Sequence, residues 1–338
     1  MSLARQSPNR TGELAFLRHI RQRVAAGLRT GLPLGIGDDC ALLRPRPGED
    51  IAVTTDLSID SRHFRLDWHP PESIGHRALA RGLSDLAAMG ARPLAAFLSL
   101  GLPSALAAAR RGKSWTDRFY DGLLALAAAH HTSLAGGDLA ESPVALADIV
   151  LVGAVPRGRA LLRSGARSGN AIYVTGALGG AAAGLEALAH LTSARRARLT
   201  TPAQCTLALA AHLYPQPRIA QGLWLQRRRA VTSAIDISDG LSSDLMHLCE
   251  ESSLSAEIQA SALPIAPGAS LQQALHGGED YELLFTAPAS ARLPRSIAGV
   301  PLTRIGRMTP RRAAQPRILL LSQQGAQPLE PQGWQHFA

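Results

Sequence analysis

The feature that most restricts this chain is where its aspartates fall. They recur at the ends of apolar runs, or inside them, in short glycine-rich settings. In Leu83-Ser-Asp-Leu-Ala-Ala-Met-Gly90, Asp85 interrupts a stretch in which Ile74, Ala78, Leu79, Leu83, Leu86 and Ala87 recur at helical spacing. A carboxylate placed there faces solvent, or else is costly unless it is paired or holds a cation. Gly35-Ile-Gly-Asp-Asp-Cys-Ala-Leu-Leu43 sets Asp38 and Asp39 side by side with no basic neighbour in sequence. Such a pair repels itself unless a cation lies between, and Mg²⁺ takes oxygen ligands, often carboxylates together with substrate phosphates. A plain Gly-Asp-Asp turn accounts for those nine residues taken alone.

Further acids sit in similar settings. Ile51-Ala-Val-Thr-Thr55 reads as a strand that ends on Asp56, and Ser58 to Phe64 as a loop carrying His63. Gly136-Gly-Asp138 reads as a turn, which suits either close backbone approach to a ligand or a simple hairpin. Gly176-x-x-Gly179-Gly180-x-x-x-Gly184 has the outline of a phosphate-binding turn. It lacks both the Walker ending and the dinucleotide spacing, so a close-packed helix start is favoured. In Ala234-Ile-Asp-Ile-Ser-Asp-Gly-Leu241, Asp236 and Asp239 stand where a short strand gives way to a helix. Ser238, Asp239 and Gly240 equally suit an N-cap and turn. Gly277-Gly-Glu-Asp-Tyr-Glu-Leu-Leu-Phe285 puts another glycine–acid cluster before a strand.

A chain of 338 residues exceeds the usual single core, which predicts two domains, 1–156 and 157–338, linked at Pro156-Arg-Gly158. Helices are expected at 11–29, from Pro71, and at 115–131, with strands at 93–102, 147–152 and 171–175. No window approaches the ~20 apolar residues of a membrane span. The first thirty residues read as an amphipathic helix, not a secretory signal. Cys40, Cys205 and Cys249 lack metal-type spacing, which favours a thiol-reduced, cytoplasmic protein. The net charge of +9 is carried by arginine, Lys113 being the single lysine. Those arginines are scattered and aromatics are few, which argues against nucleic-acid binding and fits attraction of phosphorylated small molecules.

Taken in order, several segments closely resemble thiamine-monophosphate kinases, a branch of the aminoimidazole-ribonucleotide-synthetase-like superfamily. In the first half these are Gly-Ile-Gly-Asp-Asp39, Thr54-Thr-Asp56, His63-Phe64, Leu83 to Gly90 and Gly136-Gly-Asp138. In the second half they are Arg159-Ala-Leu-Leu-Arg-Ser-Gly165, Asp236-Ile-Ser-Asp-Gly-Leu241 and Gly277 to Leu283. The resemblance runs from about residue 11 to the C-terminus. It implies a mixed α/β, two-domain fold whose N-terminal strands form a barrel with those of a second subunit in a homodimer. The implied reaction is ATP-dependent phosphorylation of thiamine phosphate to thiamine diphosphate by direct in-line transfer, with several Mg²⁺ ions.

The resemblance also implies roles by position. Asp39, Asp56, Asp85, Asp138, Asp236 and Asp239 would bind Mg²⁺, with oxygens from Thr54 and Thr55; Asp56, Asp85 and Asp236 would be catalytic. Gly137, Arg163, Ser238 and the stretch near Asp121 would contact ATP. His63, Glu279 and Trp334 would face thiamine phosphate. Phosphoryl transfer between two phosphates concentrates negative charge, and its catalysis is mostly positioning plus electrostatic stabilisation. The acceptor is already ionised, so no general base is assigned. Trp334 could cover a cationic ring or anchor the C-terminus on the core. Two departures stand out: Leu139 and Glu141 follow the Gly-Gly-Asp where the family usually has Thr and a basic residue, and Arg62 alters the loop before His63. The alternatives are another ATP-using enzyme of the same superfamily and a non-catalytic nucleotide-binding derivative.

Overall fold

The computed structural model describes residues 13–25, 31–107, 114–228 and 230–334. Its first half runs α1 (Glu13–Ala25), β1 (Glu49–Ile59), α2 (Pro71–Ala88), β2 (Arg92–Leu102), α3 (Ser104–Ala107), α4 (Trp115–Ala129), β3 (Ser133–Glu141) and β4 (Leu146–Pro156). The second half opens with β5 (Asn170–Thr175), α5 (Gly180–Ala189), α6 (Ser193–Arg196), α7 (Leu207–Leu213), α8 (Ile219–Gln226), β6 (Ser233–Ile237) and α9 (Leu241–Glu251). It closes with β7 (Leu254–Gln259), α10 (Leu271–His276), β8 (Glu282–Pro288), β9 (Ser296–Ile297), β10 (Val300–Pro310), β11 (Ile318–Ser322) and β12 (Gly325–Pro328).

The first half forms a four-stranded sheet in the order β1-β4-β2-β3, with β2 and β3 parallel and the other pairs antiparallel. Helix α2 lies against one face of it, where the small Gly82 meets Leu151 of β4. Gly75 and Gly122 let α2 and α4 cross closely. A Cβ on Gly75 would stand 2.0 Å from the Phe119 carbonyl oxygen, and one on Gly122 1.8 Å from that of Glu72. The opposite face stays open along β1, where Ile51, Val53 and Leu57 are exposed. Strands alternate their side chains between faces, so a single strand serves both environments.

The second half builds an eight-stranded sheet in the order β12-β11-β7-β10-β5-β8-β6, with β9 on β10. Its own core gathers Ile172, Val174, Ile235, Ile237, Leu245 and Ile258. A larger core joins the two sheets: Leu83, Leu86 and Leu151 of the first half pack in one cluster with Ala234, Leu283 and Phe285 of the second. Helix α2 therefore sits between the sheets and touches β1 and β4 on one side and β6 and β8 on the other. That position explains its near-complete burial and the unusual setting of Asp85.

Three local expectations change. Strand β1 continues to Ile59, so Asp56 lies inside it, opposite Ile149, and not at its end. Gly136-Gly-Asp138 is not a turn but the middle of β3. Gly137 there has φ +146°, and a Cβ on it would stand 1.9 Å from the Leu98 carbonyl oxygen, so only glycine keeps the strand pair intact. The expected first helix is seen over Glu13–Ala25, and its remaining residues, 11–12 and 26–29, lie outside the described residues. Among the described residues no helix is long and apolar enough to cross a membrane, and the three cysteines are free thiols.

Candidate active site

A cavity of about 560 Å³ opens where α2, the loop after β1, the start of α5 and the turn between β6 and α9 meet. Its floor carries Asp56, Asp85 and Asp236 from three different elements. Asp85 comes from the last turn of α2, where the Thr54 hydroxyl of β1 donates to its Oδ2. Asp236 comes from β6, and the Ser84 hydroxyl donates to its Oδ2 at 2.6 Å. Burial, reinforced by Asp236 and Asp56, pushes the Asp85 carboxyl up to about 7. Burial likewise raises Asp236 to about 6 against the Ser84 hydrogen bond, with Asp56 adding to the rise. Asp56 is raised by burial as well, opposed by Arg81, whose Nη2 lies 3.2 Å from Asp56 Oδ1. Buried like charges that raise one another's pKa mark a place short of positive charge.

Among the described residues no three His, Cys, Asp or Glu side chains converge as a ready chelate for one ion. The donor chemistry nonetheless suits a hard divalent cation: carboxylate and hydroxyl oxygens, mutually repelling and shielded from water. Asp239 and Ser238 line the same cavity at the β6–α9 turn. The capping duty expected there falls to Asp244, whose Oδ2 accepts the N–H groups of Ser238, Asp239 and Gly240 at 3.1 Å each.

His63, Glu279 and Trp334 line the same cavity. Nδ1 of His63 accepts the Ile59 N–H at 3.1 Å, so in its neutral form the ring carries its proton on Nε2. Burial alone would raise the Glu279 carboxyl, but the Arg77 guanidinium beside it outweighs burial and holds the group at about 2. The Trp334 side chain is half exposed, while the Trp334 backbone N–H donates to the Asp239 carbonyl at 3.2 Å. The C-terminal stretch is thereby tied to the turn that carries Asp239. The glycine turn before α5 is a close-packed start, as favoured: Asp280 accepts the N–H groups of Gly179 at 2.6 Å and Ala181 at 3.0 Å.

The remaining expected site residues lie elsewhere. Thr55 sits opposite Val150 on the open face of the four-stranded sheet. Asp138 is exposed on β3, in a row across the sheet: Leu57 opposes Asp148, Asp148 opposes Ser99, and Ser99 opposes Asp138. Asp39 is exposed in a segment that packs through Ala41 and Leu43 on Ala95, Phe97 and Ala135, on that same face. The expected metal ligands thus divide into Asp56, Asp85, Asp236 and Asp239 with Thr54 on the helix-covered side, and Asp39, Asp138 and Thr55 on the open side. Gly137, opposite Leu98 on the edge strand, belongs to neither group. Arg163 is exposed, yet close enough to Asp85 and Asp236 to lower both carboxyls. Asp121 is engaged by Arg23 of α1, with Nη2 at 2.6 Å, and does not line the cavity.

Sequence reasoning missed Arg77, Arg81, His69 and His212, all buried or half-buried around the cavity. A signal for the first two existed. Arg77, Arg81 and Asp85 are spaced by four residues, which stacks them on one face of α2.

This two-sheet architecture is that of the AIR synthase class. Residues 37–159 match the family model of AIR synthase related protein, N-terminal domain, and residues 167–318 that of its C-terminal domain. The thiamine-monophosphate kinase of Escherichia coli (strain K12) is 40% identical over 310 residues, covering 88% of this chain and 90% of that one. The crystal structure of thiamine-monophosphate kinase from Stenotrophomonas maltophilia K279a superposes with a TM-score of 0.75 at 36% identity, covering 91% and 96% of the two chains. AaThiL complexed with AMPPCP and TMP superposes with a TM-score of 0.71 at 28% identity, covering 99% and 100%. The chain belongs to the thiamine-monophosphate kinase family.

Proposed function

We propose that the protein phosphorylates thiamine phosphate with ATP, giving thiamine diphosphate and ADP by direct in-line transfer. The observation that carries this reading is the cavity itself, which brings the buried carboxylates of Asp56, Asp85 and Asp236 together with His63, Glu279 and Trp334. AaThiL, the relative with AMPPCP and TMP bound, supports ATP and thiamine phosphate as the substrate pair.

Asp56, Asp85, Asp236 and Asp239 would hold Mg²⁺. The bound ions would supply neutralisation of the charge gathered between donor and acceptor phosphates. Arg81 adds a fixed guanidinium beside Asp56, suited to phosphate oxygens. Thr54 and Ser84 orient the Asp85 and Asp236 carboxylates by donating to them. In the same cavity, ionised Glu279 complements the cationic acceptor, Nε2–H of His63 offers a donor, and the Trp334 ring can lie over a cationic heterocycle. The acceptor phosphate needs no proton removed, so the site requires no base. The measurement is direct: purified protein with ATP, Mg²⁺ and thiamine phosphate yields thiamine diphosphate, and a folded protein that yields none overturns the reading.

A homodimer belongs to the same proposal, as does a division into N- and C-terminal domains at Pro156–Gly158. Val53 on edge strand β1 is 60% exposed, and Ile51 and Leu57 flank it on the same open face. An apolar stripe on an edge strand invites a second copy. Covering that face would also enclose Asp39, Thr55 and Asp138, which supports a role for them at the subunit boundary.

A further inference from the structure

Arg77 is buried to 4% exposure on α2, one turn before Arg81 and two before Asp85. A guanidinium is always charged and offers donors in a fixed fork, so its burial demands acceptors on several sides. Here they come from three separate segments. Nη2 donates to Glu279 Oε1 at 2.6 Å and to the His63 carbonyl at 3.1 Å, while Nη1 donates to the His212 carbonyl of α7 at 2.5 Å. Two of those residues, His63 and Glu279, are the ones that face the acceptor in the function proposed above.

The contact continues into a pair of histidine rings. Nη1 stands 3.3 Å from His212 Nδ1, and His212 Nε2 lies 3.0 Å from His69 Nε2. Nδ1 of His69 in turn accepts the Arg65 N–H at 3.1 Å. Burial keeps both rings neutral. The loop between β1 and α2 is thereby tied to α7 at both His63 and His69. A second observation points the same way. Glu279 and Tyr281 hold φ of +67° and +50°, left-handed backbone that is strained for non-glycine residues and persists only where surroundings impose it.

We infer that Arg77 is the positioning residue of the acceptor end: it fixes the Glu279 carboxylate and the His63 loop relative to α2, the helix that also carries Asp85. Its hydrogen bonds go to His63, His212 and Glu279 and not to Asp56, Asp85 or Asp236, so its loss is expected to act on one substrate. This inference rests on the proposed acceptor end of the cavity, and two readouts keep the two claims apart.

In Arg77→Lys and Arg77→Met, hydrogen exchange of the free protein is expected to speed up in residues 60–69 and 277–281 and to stay at the wild-type rate in β5 and β7. Kinetically, KM for thiamine phosphate should rise about tenfold in the lysine variant and more in the methionine variant, with KM for ATP within about twofold. Unchanged exchange in both segments overturns the clamp, whatever the substrate. Equal rises of both KM values also overturn it, since a merely structural residue would act on both. A wild-type protein that makes no thiamine diphosphate overturns the function instead, and the exchange experiment still decides the clamp. The lysine variant keeps the buried charge, so a methionine variant that fails to fold does not end the test.

Discussion

The two faces of the four-stranded sheet differ more than any two other parts of this molecule. On the covered face, Thr54 and Asp56 look toward α2 and join Asp85 and Asp236 in a dry floor. On the open face, one residue along the same strand, Thr55 and Leu57 share a row-by-row surface with Asp148, Ser99 and Asp138. The sequence motifs treat Asp56 and Asp138 alike. Their surroundings differ: burial raises the Asp56 carboxyl, whereas Asp138 is exposed on an edge strand. A carboxylate becomes a tight metal ligand where desolvation makes the free ion costly, so the covered group should carry the larger catalytic share.

The strongest way to break this comparison is Asp56→Asn or Asp85→Asn. Each should lower kcat by about 10²–10³-fold or more while far-ultraviolet circular dichroism is unchanged, because removing a buried like charge relieves repulsion. Near-normal turnover in both would show that the floor is not the reaction centre. Next comes Leu57→Asp, which puts a charge on the open face. Light scattering should show a shift toward monomer, with a loss of activity that higher protein concentration reverses; a variant that remains dimeric removes the open face from the interface.

A smaller effect is expected of pH without Mg²⁺. The folded Asp85 and Asp236 carboxyls titrate above the ordinary value near 4, so between about pH 4 and pH 7 the folded state holds protons that the unfolded chain has released. Stability therefore falls as pH rises through that window. The thermal midpoint should drop by about 5 °C from pH 5 to pH 8, and Mg²⁺ at pH 8 should restore it. A flat profile would mean that the acids do not share the floor. The smallest effect is expected of Asp121→Asn, which loses the ion pair with Arg23, about 0.2–1 kcal/mol. KM for ATP should then stay within about twofold; a tenfold rise would bring Asp121 back to the nucleotide.

Much of the site was legible in the chain because its carriers are local. Asp85 betrays itself by breaking an apolar helical period, and the Ser238–Gly240 turn by its place between strand and helix. The C-terminal acids of Gly277 to Leu283 show themselves by preceding a strand. Other features were hidden for a physical reason. Strand β1 outlasts its β-branched run because pairing with β4, not propensity, sets its end. Gly136-Gly-Asp138 has turn composition but is held straight by β2, with Gly137 there for close approach. The histidines at 69 and 212 stand far apart in sequence, and no local pattern foretells that they meet.

By itself, then, the sequence determined the residue types of the site, the helix that carries Asp85 and the family to which the chain belongs. These rest on periodicity and on short motifs whose chemistry is local. Tertiary structure alone decided which acids share one floor and which face the open side, and that Arg77 ties three segments together. The reason is that side-chain alternation and sheet register, fixed by long-range pairing, turn neighbouring residues such as Thr54 and Thr55 toward different worlds.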